Sequence, residues 1–207
     1  MKQKIHLITY GDKKYEMQKH RLCNEAINSL WFDSITLYGP EDLDENFKNK
    51  FKKILEQKRI GGYGIWRPYI IKKNLEEIND NDILIYLDSG CQINKKAKKR
   101  FDEYIAILNK SDEGIISFQM THDKHTEKKW TIKEIFKHFN IELNGEIANT
   151  GQILDGILIM KKNKNIINMN NIWYNVIYEN PLLFTDYYNH KNQENHFIDN
   201  RHEQSIF

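Results

Sequence analysis

The sequence predicts an α/β fold: one domain over residues 1–207 with a mostly parallel, Rossmann-like central sheet flanked by helices. Three observations predict it. Apolar segments of strand length alternate with segments of helical periodicity along nearly the whole chain. The segment Ile83-Leu-Ile-Tyr-Leu87 is apolar almost throughout, as expected of a strand covered on both faces. No Pro/Ser-rich linker and no internal repeat divides the chain.

The elements follow in order. Residues 4–10 read as a first strand, and Asp12 can cap a helix whose Tyr15, Leu22, Cys23, Ala26, Ile27 and Leu30 recur at helical spacing. Ser34 to Tyr38 reads as a second strand, ended by Gly39-Pro40, and Phe47, Phe51, Ile54 and Leu55 mark one face of a second helix. After a glycine-rich loop at Gly61 to Gly64, Pro68 suits the first turn of a helix that turns Trp66, Ile70, Ile71, Leu75 and Ile78 inward. Asn79-Asp-Asn-Asp82 breaks it before the 83–87 strand. Asn94 can cap a helix with Ala97, Phe101, Tyr104, Ile105 and Leu108 on one side and a solvated lysine face on the other. Gly114 to Phe118 is read as a buried strand, 120–130 as a polar loop, and Thr131-Ile-Lys-Glu134 as a capping box opening a helix through Phe139. Ile157 to Met160 reads as a late strand, and 164–179 as a helix bearing Ile166, Ile167, Trp173, Val176 and Ile177.

Composition excludes several classes. With 29% charged and 40% hydrophobic residues, no apolar run approaches the length of about 20 needed to span a membrane, so no membrane span is expected. The first residues lack a signal-peptide apolar region, and Cys23 and Cys91 are too few for a disulfide framework. A cytoplasmic location is the expectation, the host cytoplasm if the chain is viral. A net charge of +2 offers no field to attract nucleic acid, and no nucleic-acid partner is expected. The first strand lacks a G-x-G-x-x-G turn, and no G-x-x-x-x-G-K-S/T occurs, which argues against both NAD and phosphate-loop chemistry. Arginine is scarce beside lysine, so Arg59, Arg67 and Arg201, in or beside candidate motifs, gain weight as ligand contacts: a guanidinium fork matches phosphate where an ammonium is a point charge.

The most informative stretch joins the loop Gly61-Gly-Tyr-Gly-Ile-Trp-Arg-Pro-Tyr69 to the strand ending Asp88-Ser-Gly-Cys91. Ligands of open α/β sheets lie outside the carboxyl ends of their strands, so Asp88 is placed at a ligand crevice. Five blocks then resemble, in order and over nearly the whole chain, the small GT-A glycosyltransferases of large DNA viruses and bacterial surface-polysaccharide clusters. They are Ile8-Thr-Tyr-Gly-Asp12, Gly62 to Tyr69, Tyr86 to Cys91, Gln152 to Lys162, and Asn200-Arg-His-Glu-Gln-Ser205.

The resemblance implies a GT-A-like domain that moves a sugar from a nucleotide diphosphate donor, most often a UDP-sugar, to a hydroxyl of a glycan or glycoprotein acceptor. It usually acts with Mn²⁺ or Mg²⁺. It implies that Asp88 helps hold metal and nucleotide, that Arg67 and the glycine-rich loop meet the diphosphate or sugar, and that Thr9 and Tyr10 contact base and ribose. Gly11, Arg59, Gly62, Tyr63, Trp66 and Ser89 complete the expected donor site. One departure stands out: such enzymes carry Asp-x-Asp at the strand end, and here the third position is Gly90. Similarity to glycogenin-like enzymes makes His202 the second metal ligand, and imidazole favours Mn²⁺ over Mg²⁺. Asp155 and Glu203 are the candidate catalytic carboxylates, as base or as sugar-orienting groups, with retention and inversion both open. His122, His125 and Trp130 mark the 120–130 loop as an acceptor contact. The incomplete Asp-x-Asp leaves open a sugar-nucleotide-binding module without turnover, and a metal-dependent nucleotidyl-transfer domain is a further rival. The chain stops soon after the last block, as one domain of a longer protein would.

Overall fold

The structure, a computed structural model, describes residues 2–207. Five strands, β1 (Ile5–Tyr10), β2 (Ser34–Tyr38), β3 (Ile83–Leu87), β4 (Ile115–Gln119) and β5 (Ile153–Lys161), form one sheet in the order β2-β1-β3-β5-β4. β1 pairs in parallel with both β2 and β3, whereas β5 is antiparallel to β3 and to β4. Four strands therefore share one direction and β5 alone is reversed, so the sheet is mostly parallel by direction and mixed by pairing.

The period-two alternation of the strands sorts their side chains onto two buried faces. Ile8, Leu84, Tyr86, Leu158 and Met160 face the helices Trp66–Glu77 and Lys164–Glu179, which bring Ile70, Ile71, Leu75, Ile166, Trp173 and Ile177. Leu7, Ile83, Ile85 and Ile159 face the opposite way, against Ala26 of the helix Glu16–Ser29 and Leu108 of the helix Lys98–Lys110. Both faces are covered, which is why the 83–87 segment is apolar but for the Tyr86 hydroxyl.

Several expectations change in detail. Asp12 caps a 3₁₀ turn, accepting from the backbone N–H groups of Lys14 and Tyr15, and the α-helix proper starts at Glu16. The late strand reaches back to Ile153, well before Ile157. The capping box at Thr131 does not form: Ile132 holds the N-cap position of the helix Lys133–His138, and the Thr131 hydroxyl instead donates to Glu127 Oε2 at 2.7 Å. The half-buried Glu127 carboxylate, which also accepts from Gln152, takes that hydroxyl instead. The 120–130 loop contains the helical turns Asp123–His125 and Glu127–Trp130. His122 caps the first of these, with its ring nitrogen accepting from Lys124 N at 3.0 Å.

The glycine-rich segment winds left-handed. Ile60, Gly61, Gly62, Tyr63 and Gly64 all have positive φ, between 51° and 93°. A β-branched residue pays a steric cost there that glycine does not, so the three glycines keep the cost of this turn low and Ile60 and Tyr63 bear it. The turn delivers the chain directly into the helix at Trp66, whose second residue is Arg67.

Candidate functional site

The carboxyl ends of β1 and β3, the start of β5, the left-handed turn and the segment His202–Ser205 surround one cleft of about 480 Å³, within the size range of small-molecule sites. Tyr86 and Asp88 lie two residues apart along β3 and so on one side, where the Tyr86 hydroxyl donates to Asp88 Oδ1 at 2.5 Å. Asp155 arrives because β5 is reversed. Leu87 pairs with Ile157, so the residues just before Ile157 lie beside those just after Leu87. In a parallel strand Asp155 would sit at the far end of the sheet.

Arg67 sits at the centre. Its Nη2 donates to Asp88 Oδ1 at 2.8 Å, and its Nη1 donates to Glu203 Oε1 at 2.5 Å and also to Asp155 Oδ2. The guanidinium lies 5.2 Å from the Trp66 ring centre and 5.0 Å from that of Tyr86. Burial raises Asp155 to about 6, with Arg67 opposing, and raises Glu203 to about 8 for the same reason. Burial thus pushes both carboxyls toward their protonated forms, and Arg67 opposes it. Glu203 Oε2 and Arg67 Nε are buried without a partner. Gly64 explains how Glu203 comes so close: a Cβ there would lie 2.2 Å from the Glu203 carboxyl carbon, and φ is +72°.

A second polar cluster ties the C-terminal segment to the turn. Arg59 donates to Asp186 at 3.2 Å and Asp199 at 2.8 Å, and His202 Nε2 is 2.9 Å from Asp186 Oδ1. Burial lowers the His202 pKa, so the ring is neutral at pH 7 and the proton facing Asp186 is on Nε2. Tyr63 packs on this imidazole with ring centres 4.9 Å apart.

Tyr10, Gly11, Arg59, Trp66, Arg67, Asp88, Ser89, Asp155, His202 and Glu203 all line the cleft. Thr9, Gly62 and Tyr63 do not: Thr9 is fully buried in β1, Gly62 packs against Leu55, and Tyr63 backs His202. The Tyr10 and Trp66 rings stack on each other at 3.7 Å, and Trp66 Nε1 donates to Ile60 O at 3.1 Å. Arg67 differs from the sequence expectation in its partners, since its Nη donors face carboxylates.

Other residues of the site had little or no signal. Arg21, from the helix Glu16–Ser29, donates to the carbonyls of Ser89 at 3.2 Å and Cys91 at 2.9 Å and so holds the turn after Asp88; a cation beside the apolar Leu22 and Cys23 was its only trace. The buried Lys19 ammonium donates to Gly11 O and Tyr38 O at 2.9 and 3.1 Å, fixing the end of β1. Asp186 and Asp199 lie in a polar stretch without periodicity and were not detectable.

Among the described residues no group of three or more side chains is placed to hold a metal ion; Asp88 and His202, the two expected to bind one, both line the cleft. Their chemistry fits. Asp88 Oδ2 is not engaged by Arg67 or Tyr86, and a neutral histidine backed by a carboxylate is the arrangement that readies the other ring nitrogen for a metal.

No family model and no curated protein matches the chain. Among solved structures it is similar to a glycosyltransferase involved in the glycosylation of the major capsid of PBCV-1, with 13% identity, TM-score 0.48, and coverage of 94% of this chain and 80% of that one. It is also similar to the galactosyltransferase LgtC in complex with donor and acceptor sugar analogues, with 11% identity, TM-score 0.47, and coverage of 97% and 68%. A third is the apo-form glycosyltransferase GlyE of Streptococcus pneumoniae TIGR4, with 14% identity and TM-score 0.40, where the alignment takes 98% of this chain and 42% of that one.

Proposed function

We propose that the protein is a glycosyltransferase that moves a sugar from a nucleotide diphosphate donor, a UDP-sugar by preference, to a hydroxyl of a glycan or glycoprotein. The observation that carries the reading is the convergence on one cleft of Asp88 at the end of β3, Asp155 at the start of β5 and Glu203, all bonded to a single buried arginine. Burying Arg67 with Asp155 and Glu203 costs desolvation that their mutual bonds only partly offset.

Each group has a distinct task. Arg67 holds the carboxyls in place, so that none has to reorganise during the reaction. Asp155, which lines the cleft and accepts from Arg67, serves as the carboxylate that takes the acceptor proton or orients the sugar. Glu203 lines the cleft and, through Oε1, accepts from Arg67 and so steadies the guanidinium. A divalent cation, Mn²⁺ the better match to a carboxylate and an imidazole, would be held by Asp88 and His202 and would offset the charge of the diphosphate. Tyr10 and Trp66 supply an aromatic wall near the end of β1 for the nucleoside.

The test is donor binding and turnover. Purified protein with manganese is titrated with UDP and incubated with a panel of UDP-sugars, and released UDP is measured. Asp88→Ala should weaken metal-dependent donor binding by about tenfold or more, about 1.4 kcal/mol. Its melting temperature should hold, because the Asp88 side chain is 45% exposed. Binding of UDP without release from any donor would favour a non-catalytic binding module. Unaltered binding in the variant would remove Asp88 from the site.

A further inference from the structure

The cleft carries three guanidinium groups with very different surroundings. Arg67 is committed to three carboxylates and Arg59 to two. Arg201 also lines the cleft, yet among the described residues no carboxylate lies within ion-pair distance of it and its side chain donates no hydrogen bond. It is nonetheless fixed in place. The guanidinium carbon lies 4.2 Å from the centre of the Trp130 ring. Trp130 is itself anchored, donating from Nε1 to Lys124 O at 2.6 Å and accepting at its carbonyl from Arg201 N at 3.0 Å and Ser205 Oγ at 2.7 Å.

This geometry suits binding of an anion. The attraction of a guanidinium to the face of an indole takes up none of its hydrogen-bonding capacity toward oxygen acceptors, and no N–H of the Arg201 side chain is bonded to an acceptor among the described residues. A partly buried cation without a counter-ion has lost hydration that no protein group replaces. Arg59 and Arg67 are already paired with carboxylates, so an incoming anion meets in Arg201 the guanidinium of this cleft that has no ion-pair partner among the described residues.

We propose that Arg201, held over the Trp130 ring, is the residue that grips the diphosphate of the donor, while Arg67 serves the carboxylates and does not contact phosphate. A two-pronged N–H contact suits a phosphate in a way an ammonium does not. The inference deepens the glycosyl-transfer reading and rests on it. It also gives the 120–130 segment a role, since Trp130 couples that segment to the anion.

Calorimetric titrations of UDP, UMP and uridine into the wild type, Arg201→Gln, Arg201→Lys and Trp130→Leu test it. The wild type should bind UDP more tightly than UMP. Arg201→Gln should lose about tenfold or more in UDP affinity while uridine binding changes by less than about twofold. Arg201→Lys, which keeps the charge and loses the fork, should recover only part of the loss, and Trp130→Leu should weaken UDP by about threefold or more. Equal UDP binding by wild type and Arg201→Gln would overturn the assignment and leave the glycosyl-transfer reading standing. A wild type that binds neither UDP nor uridine would overturn the reading itself, and this inference with it.

Discussion

Replacing Arg67 with methionine tests whether the carboxylates are held as described. The side chain is 3% exposed, and so is its partner Glu203, while Asp155 is at 8% and Asp88 at 45%. The half-exposed Asp88 pair contributes under about 1 kcal/mol, because water screens it. The two buried pairs dominate: removing the cation leaves carboxyls in the interior without a counter-charge, which costs about 3 to 5 kcal/mol. For a chain of this size that corresponds to a drop of roughly 6 to 20 °C in melting temperature. The loss should depend on pH in a defined direction. Burial raises Asp155 to about 6 and Glu203 to about 8, so the native state holds protons that the unfolded chain has released. Their contribution is fully present below the ordinary carboxylate range and fades as pH climbs through about 6 and then about 8. Arg67 opposes this rise, so Arg67→Met should lose more at pH 8.5 than at pH 5. Thermal unfolding followed by circular dichroism at both values checks it. A melting temperature within about 3 °C of wild type at pH 8.5 would refute the description of Arg67 as the counter-ion of a buried pair.

Two further outcomes are expected. Gly90 has open space where a side chain would project, with no heavy atom within 4 Å of a Cβ, so Gly90→Asp should fold normally and, by adding a second carboxylate beside Asp88, tighten Mn²⁺ binding by about tenfold in a calorimetric titration. Gly64→Ala should behave in the opposite way: with φ at +72° and Glu203 in the path of the new methyl group, a loss of about 2 kcal/mol or more is expected in urea unfolding, together with impaired turnover.

Much of this fold was legible because strand and helix periodicities are local. β2, β3 and the helix Lys164–Glu179 lie at the expected residues, and each is an apolar pattern closed by a strong breaker or cap: Gly39-Pro40, Asp88-Ser-Gly90, Asn163. The Thr131 box misled because Glu127, only four residues back, sits in a short helical turn inside the stretch read as a loop, and its carboxylate takes the hydroxyl. Arg67 was recognised as belonging to the site, but its partners were not, since they lie 21, 88 and 136 residues away in sequence.

Taken alone, the sequence determined which segments are strands and helices, that β3 is covered on both faces, that the Gly61 to Gly64 stretch must turn, and which side chains were candidates for chemistry. All of these depend on the nature and spacing of near neighbours. The direction of β5 and the state of the arginines were decided only in three dimensions. An apolar strand reads the same whichever way it runs, and its orientation is set by hydrogen bonds to β3 and β4 across the sheet. That reversal brings Asp155 to Asp88, and with Glu203 from the C-terminal segment it consumes Arg67 as a counter-ion, while Arg201 lies over the Trp130 ring.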